Sequence, residues 1–328
     1  MTTVIHTGDC IEVLKGLPDA SVQCVITSPP YYGLRDYGNE DQIGLEKTPE
    51  EYIAKMVEVF REVKRVLRDD GTVWLNIGDS YWSDSLARST AIESMWGKRP
   101  ASDLTEGREN IPTHNKRGGL GKRPDGIKPK DLMGIPWMLA FALRADGWYL
   151  RQDIIWHKPN PMPEAVYDRC TKAHEYLFLL TKAQRYHYDA EAIKEPSVSQ
   201  KVGKTWAERK AAGEATRHGL AGAAACGAGG FATGETRNRR SVWSITTKPF
   251  KGAHFAVMPE ELVEPCVLAG SREGDTILDP FTGSGTVAVV AERYGRSFVG
   301  AELNPEYVQV AWLRIAGERI KNALGEAK

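Results

Sequence analysis

Thr276-Ile277-Leu278-Asp279-Pro280-Phe281-Thr282-Gly283-Ser284-Gly285-Thr286 is a short apolar run, a proline and a glycine turn, followed by the helix-like VAVVAERYG. Strand, glycine turn and helix in that order open a βαβ unit. Glycine there tolerates positive φ and lets a ligand approach the backbone closely. Nineteen residues after Gly283 stands Glu302, which closes the next apolar run, Ser297–Glu302. A carboxylate at that place can accept hydrogen bonds from both hydroxyls of a ribose. Gly283, Gly285 and Ala288 also satisfy G-x-G-x-x-A, the pattern of a dinucleotide site. Asp279 tilts the choice, because a carboxylate just before the glycines repels a pyrophosphate and attracts an ammonium such as that of a methionine moiety. On this stretch alone an S-adenosyl-L-methionine site, a dinucleotide site and a merely structural turn all stay open.

Outward from this unit, Ser21–Thr27, Thr72–Ile77, Asp153–Trp156 and Tyr176–Thr181 are further apolar runs with the length and punctuation of strands. Helical spacing of apolar residues follows the cap and first-turn signals Thr48-Pro49-Glu50-Glu51 and stops at Arg68-Asp69-Asp70-Gly71. The same test predicts helices over Lys130–Ala145, Pro259–Ala269 and Pro305–Ala323. Strands alternating with helices imply an α/β fold with a mostly parallel, doubly wound sheet.

Residues 82–130 and 194–252 break the rhythm, the first rich in Gly and Pro, the second running through an Ala/Gly stretch. The net charge of zero over 328 residues conceals an asymmetry. Residues 98–130 hold nine Lys/Arg against four Asp/Glu, and residues 194–252 hold eleven against four. Those surpluses of five and seven leave the rest of the chain near −12. Such segregation fits a polyanion-binding surface beside an acidic body, or two solvated loops. A content of 41% hydrophobic and 26% charged residues is that of an ordinary soluble globular protein. No signal-peptide pattern opens the sequence and no run approaches a membrane span. Cys10, Cys24, Cys170, Cys226 and Cys266 are scattered without a C-x-x-C pair, which argues against structural zinc and for a reducing, cytoplasmic setting. No metal is expected.

Directly after the strand Ser21–Thr27 comes Ser28-Pro29-Pro30-Tyr31. Two prolines fix φ and remove two backbone donors, leaving a rigid corner that presents carbonyls and a hydroxyl as acceptors. A planar base carrying an –NH2 group needs such an arrangement, with an aromatic face beside it. Hydrogen bonds to the amine draw its lone pair out of conjugation, so that the nitrogen can attack an electrophilic methyl group. The bland alternative is a Pro-Pro stop after a strand with Tyr31 in the core.

Taken together, the two motifs closely resemble the amino-methyltransferases of DNA, which methylate adenine N6 or cytosine N4. That family carries (D/N/S)-P-P-(Y/F/W) and D-P-F-x-G-S-G-T, here Ser28-Pro29-Pro30-Tyr31 and Asp279 to Thr286. Catalytic motif first and cofactor motif last resembles the permuted β-group order. The resemblance covers about 1–81, 130–190 and 254–322. It implies a Rossmann-like methyltransferase sheet with circularly permuted motifs, in which Thr3–Thr7 is the sheet's third strand. It also implies that S-adenosyl-L-methionine is held by Asp9, the Cys10 backbone, Asp279, Phe281, Gly283, Ser284, Gly285, Thr286 and Glu302. Asp9 is equally suited to cap a helix over 10–17. Residues 1–193 and 253–328 then form one catalytic and cofactor-binding domain, with 82–130 a DNA-facing loop and 194–252 the target-recognition insertion. Double-stranded DNA is the expected partner, contacted through Arg237, Arg239, Arg240, Lys116 and Arg117. A homodimer and a cognate restriction endonuclease are further partners of enzymes of this kind. Ser at the first motif position resembles the cytosine-N4 enzymes, with adenine N6 the alternative. A methyltransferase of RNA or of protein amides, and an inactive DNA-binding module, are rivals of other classes.

Four other places invite a role. Pro265-Cys266 has the form of a nucleophile motif but sits in an apolar helical pattern, which favours a core cysteine. Asp79 either lines the base pocket or caps a turn. His174-Glu175 stands before an apolar strand as support for the site, and Trp156-His157-Lys158-Pro159-Asn160 ends a strand on the DNA-facing side.

Overall fold

The computed structural model describes residues 2–33, 42–82, 126–197, 236–248 and 257–325. Met1–Asp189 and Ser241–Lys328 make one compact unit, and Ala190–Arg240 a second. In the first unit the strands are β1 (Thr3–Thr7), β2 (Val22–Thr27), β3 (Leu67–Ile77), β4 (Tyr149–His157) and β5 (His174–Thr181). In the second, β6 (Glu195–Pro196) and β7 (Thr236–Arg237) form a short antiparallel ribbon. The first unit then resumes with β8 (Val242–Ser244), β9 (Thr276–Asp279) and β10 (Ser297–Glu302). Its sheet runs in the order β1-β10-β9-β2-β3-β5-β4-β8. The first five strands in that order are parallel, and β5 runs antiparallel to both of its neighbours. Every residue of β2 is buried, the pattern of a strand covered on both faces.

Six helices are found among the described residues: α1 (Cys10–Lys15), α2 (Pro49–Val66), α3 (Ile135–Ala145), α4 (Glu260–Gly270), α5 (Thr286–Arg293) and α6 (Pro305–Leu324). Connections β1-α1-β2 and β2-α2-β3 travel one way across the sheet, and β9-α5-β10 travels the other way. Right-handed crossovers therefore place α1 and α2 on one face and α5 on the opposite one. Helix α2 packs between α1 and α3, and α5 between α4 and α6. The direction reverses between the neighbours β9 and β2, which makes their carboxyl ends the expected binding crevice. Thr3–Thr7 lies third from β9, so the permuted order expected from the motifs is the order of the sheet.

Helix α2 starts as expected. Thr48 Oγ1 accepts from the Glu51 N–H at 3.1 Å, and the Glu51 carboxylate returns to the Lys47 N–H at 3.0 Å. Its buried stripe Tyr52, Met56, Val59, Val63 and Val66 keeps helical spacing. Other boundaries moved. Strand β3 begins at Leu67, so Arg68–Gly71 is extended chain with exposed Arg68 and Asp69, and its register with β2 shifts between Val22 and Cys24. Gly71 permits this, since a Cβ there would lie 2.6 Å from Leu67 Cδ1. Helix α3 begins at Ile135 rather than Lys130. Lys130 has φ +72, Leu132 bridges to Tyr81, and Gly134 at φ +76 turns the chain into the helix. Residues 241–245 do not belong with the insertion expected over 194–252. Val242–Ser244 extends the sheet beside β4, and Trp156 Nε1 donates to the Ile245 carbonyl at 2.9 Å. Among the described residues no helix is long and apolar enough to cross a membrane.

Candidate active site

The carboxyl ends of β1, β10, β9 and β2 stand side by side. At about 4.8 Å per strand they span roughly 15 Å, the length of a nucleoside with a short tail. Asp279 ends β9 and is buried. Its Oδ1 accepts from Thr27 Oγ1 at 2.7 Å and from the Phe281 N–H at 3.0 Å, while Oδ2 accepts from none of the described residues. Burial pushes its carboxyl up to about 7; the Thr27 and Phe281 hydrogen bonds oppose this and the nearby Glu302 charge adds to it. Thr27 and Asp279 thus tie together the two strands at which the sheet reverses.

Glu302 ends β10. Its Oε2 accepts from the Gly283 N–H at 2.7 Å and its Oε1 from the Asn304 N–H at 2.8 Å, and burial raises its carboxyl above the usual range. Gly8 at the end of β1 donates to the Glu302 carbonyl at 2.9 Å, and the next residue, Asp9, caps α1 through the Ile11 and Glu12 N–H groups. The capping role for Asp9 is therefore present. Cys10 is buried, and burial followed by the Asp9 charge pushes its thiol up to about 12, so it is no thiolate. Phe281 is half-buried against the core. Gly283 (φ +52) and Gly285 (φ +77) need their left-handed backbone. Gly285 also meets α6, since a Cβ on it would lie 2.7 Å from the Ala311 Cβ, so its smallness serves helix packing. Ser284 and Thr286 are engaged from behind: Arg314 donates to the Ser284 carbonyl, Ser284 Oγ and Thr286 Oγ1, each at 2.9 Å. Their hydroxyls hold the turn in shape, and Asp279, Gly283 and Glu302 stand together around it. A carboxylate with one uncommitted oxygen, a second above the neighbouring strand and a tight glycine turn fit an ammonium, a ribose and a nucleoside respectively.

On β2 the Ser28-Pro29-Pro30-Tyr31 corner follows directly. The Pro30 carbonyl is taken by Tyr52 Oη at 2.9 Å, whereas among the described residues none donates to the Pro29 carbonyl. Ser28 Oγ lies 3.5 Å from Tyr31 Oη. Tyr31 does not project freely. Its ring lies against Gly78, where a Cβ would come within 2.7 Å of Cε2, and its hydroxyl donates to Glu175 Oε2 at 2.8 Å. Burial and the Glu175 charge hold the phenol well above its usual range. Glu175 also accepts from Asn76 Nδ2 at 3.3 Å and from Lys158 Nζ. The mere strand-end corner with a core tyrosine thus gives way to a polar cluster fed by β2, β3, β4 and β5.

The family model described as DNA methylase, for the N6 and N4 enzymes, matches residues 22–312. Type II methyltransferase M.Cfr9I of Citrobacter freundii is 47% identical over 96% of this chain and 88% of its own length. Type II methyltransferase M.SmaI of Serratia marcescens is 46% identical over 96% and 91%. The chain belongs to the N6/N4 DNA methylase family. The PvuII DNA methyltransferase (cytosine-N4-specific) shares the fold of this methylase with a TM-score of 0.60, 18% identity and coverage of 98% and 93%. The TTHA0409 protein of Thermus thermophilus, crystallised with S-adenosyl-L-methionine, shares it with a TM-score of 0.56, 24% identity and coverage of 97% and 94%. S-adenosyl-L-methionine is the cofactor of the family.

Other sequence expectations divide. Asp79 caps α3, accepting from the Gly134 N–H at 3.0 Å and the Ile135 N–H at 3.2 Å, so it is no open wall of a base pocket. Cys266 is buried in α4 with its thiol on the Leu262 carbonyl at 3.2 Å, a core cysteine of the methylase. Lys158 lies 4.3 Å over the Trp156 ring besides pairing with Glu175. Within the second unit Arg237 and Arg240 both donate to Glu195 Oε1, at 2.9 and 2.7 Å. Lys116 and Arg117 lie outside the described residues, as does most of 194–252. Sequence reading undervalued Glu175 and missed Arg314. Glu175 carried a signal, an acid at the head of an otherwise apolar strand. Arg314 has the sequence surroundings of any helix-surface cation. Among the described residues no group of three His, Cys, Asp or Glu is placed to hold a metal ion.

Proposed function

We propose that this methylase modifies double-stranded DNA at the N4 amine of cytosine, as the modification partner of a restriction endonuclease. The observation that carries the reading is the junction at the switch point. Ser28 and the Pro29 carbonyl stand at the end of β2, one hydrogen bond, Thr27 to Asp279, away from the glycine turn on β9. S-adenosyl-L-methionine, when bound, supplies an electrophilic methyl group on a sulfonium. Asp279 Oδ2 would take its ammonium, Glu302 its ribose, and Asp9 with the Cys10 backbone its adenine edge. Ser28 Oγ and the Pro29 carbonyl would accept the two N–H bonds of the amine, which localises the nitrogen lone pair toward the Asp279 side. Unstacking the base costs on the order of a few kcal/mol, offset by these bonds and by contact with the aromatic corner.

Ser28 stands at the first motif position, as in the cytosine-N4 enzymes that the motif resembles, and this supports cytosine N4 over adenine N6; the hydroxyl itself can serve either base. Basic side chains of the second unit, Arg237, Arg239 and Arg240, would meet DNA, joined by the loop carrying Lys116 and Arg117. Methylated DNA digested to nucleosides and weighed by mass spectrometry tests the base, with N4-methylcytosine expected. N6-methyladenine alone would replace the base while leaving the chemistry, and methylated RNA or protein without methylated DNA would replace the substrate class.

A further inference from the structure

Glu175 stands one position from the head of β5, 144 residues from Tyr31, and collects three donors on one carboxylate. Lys158 Nζ occupies Oε1, and Tyr31 Oη and Asn76 Nδ2 occupy Oε2. The pair is largely withdrawn from solvent, the Lys158 and Glu175 side chains being 19% and 16% exposed. Tyr31 has a single proton and two acceptors in reach, Glu175 Oε2 at 2.8 Å and Asn76 Oδ1 at 3.3 Å. The shorter bond to the charged oxygen wins. With that proton committed, the Tyr31 oxygen can only accept, and the hydroxyl facing it at 3.5 Å is that of Ser28. The contact is long for an O–H···O hydrogen bond, and catalytic hydrogen bonds commonly tighten as the reacting complex forms.

The direction of this chain matters because a serine hydroxyl is ambiguous. It donates once and accepts twice, and an amine needs only the accepting side. If its proton turned toward the amine, Ser28 would oppose the N–H bond it must receive. Asn76 Oδ1 is a neutral acceptor at 3.3 Å and competes weakly with the charged Glu175 oxygen at 2.8 Å, while the Asn76 amide N–H2 is spent on Glu175 and on the Tyr176 carbonyl at 3.1 Å. We propose that Glu175 is a positioning residue that, through the Tyr31 hydroxyl, turns the Ser28 O–H away from the target amine and leaves the Ser28 lone pairs to receive it. The inference rests on the amine-methylation reading above. No proton needs to move along the chain; Ser28 to Tyr31 to Glu175 fixes orientation, and Lys158 fixes Glu175.

Four proteins test it: wild type, Tyr31→Phe, Glu175→Gln and the double variant, compared by kcat and KM on duplex DNA. In Glu175→Gln, Lys158 retains the amide oxygen and the amide N–H2 turns to Tyr31, so the Tyr31 proton loses its charged acceptor and is shared between Asn76 Oδ1 and Ser28 Oγ, which unsettles the direction of the chain. We expect kcat to fall about tenfold, with KM for DNA and cofactor affinity near wild type. Tyr31→Phe keeps the ring and frees the Ser28 hydroxyl to rotate, for a loss of about threefold. Because Glu175 acts through the Tyr31 hydroxyl, adding Glu175→Gln to Tyr31→Phe should cost little more. Losses that multiply in the double variant would overturn the proposal, since a merely structural Glu175 is equally needed with and without that hydroxyl. If Glu175→Gln fails to fold, Tyr31→Phe alone decides, and a wild-type kcat there overturns it. Ser28→Ala separates the two layers. A wild-type rate in Ser28→Ala sinks the amine reading itself, whereas a lost rate with multiplying losses in the cycle sinks only the relay.

Discussion

Asp279 is the residue on which cofactor affinity should turn most steeply with pH. Buried without a cation, its carboxyl is raised to about 7 against an ordinary 3.8. Between those values the folded chain holds a proton that the unfolded chain has released, so this group's contribution to stability declines as pH rises from about 4 to 7. An ammonium placed on Oδ2 favours the charged form. Binding should therefore release close to one proton at pH 6 and almost none at pH 8, with affinity rising between them. Calorimetry in buffers of different ionisation enthalpy measures that release, and equal release at both pH values would exclude Asp279 as the ammonium's partner. Asp279→Ala should weaken cofactor binding by about 1.5–3 kcal/mol and remove the pH dependence. This residue was legible in the sequence because strand, carboxylate and glycine turn are contiguous. Glu175 was singled out with His174 as support for the site, but its contact with Tyr31 was not legible, because what brings the two together is the antiparallel register of β5 on β3, with Ile77 opposite Tyr176.

At the scale of elements, the cap of α3 and the β6-β7 ribbon make separate claims. Asp79 supplies the acceptor that the first N–H groups of α3 lack, and Lys172 Nζ bonds its carbonyl at 2.7 Å. Asp79→Ala should cost about 1 kcal/mol of stability, read from urea melts, while leaving kcat and KM for DNA unchanged. A raised KM for DNA or a lowered kcat at wild-type stability would restore Asp79 to the base pocket. In the ribbon, Glu195 holds Arg237 and Arg240 and so competes with any phosphate for them. Glu195→Gln should strengthen DNA binding several-fold at low salt. Arg240→Ala should flatten the slope of log affinity against log salt by about 0.9. Failure of both would remove the ribbon from the DNA surface. Composition showed that 194–252 was basic, yet it hid two things: a glutamate neutralising part of the charge, and β8, a three-residue strand whose pairing with β4 leaves no periodic mark in so short a run.

For the molecule as a whole, the cofactor should act as a clamp across the sheet. Its expected ligands come from β1, β10 and β9, and β9 is bonded to β2. At a hundredfold excess over Kd, S-adenosyl-L-methionine should add about 2.7 kcal/mol and raise the Tm by about 4 °C. Asp279→Ala should lose most of that shift at the same concentration. The alternation of strands and helices was legible because buried strands announce themselves as apolar runs, whereas the permuted order came with the resemblance of the two motifs to the amino-methyltransferases of DNA. The antiparallel insertion of β5 between β3 and β4 was not, since a strand's direction leaves no trace in its composition.

The Thr27–Asp279 bond joins partners 252 residues apart, and among the described residues β1 pairs with β10 alone. On the ribosome, at about 5–20 residues per second, roughly 13–50 seconds separate the synthesis of Thr27 from that of Asp279. Throughout that interval β1 and one edge of β2 are unpaired strands on a nascent chain, open to wrong partners and to chaperones. β9, the middle one of the five parallel strands, is among the last to be made. A growing polypeptide therefore acquires neither a cofactor cleft nor a finished sheet until translation has passed β10, and a ribosome that stalls earlier leaves an aggregation-prone half-sheet rather than a weak enzyme.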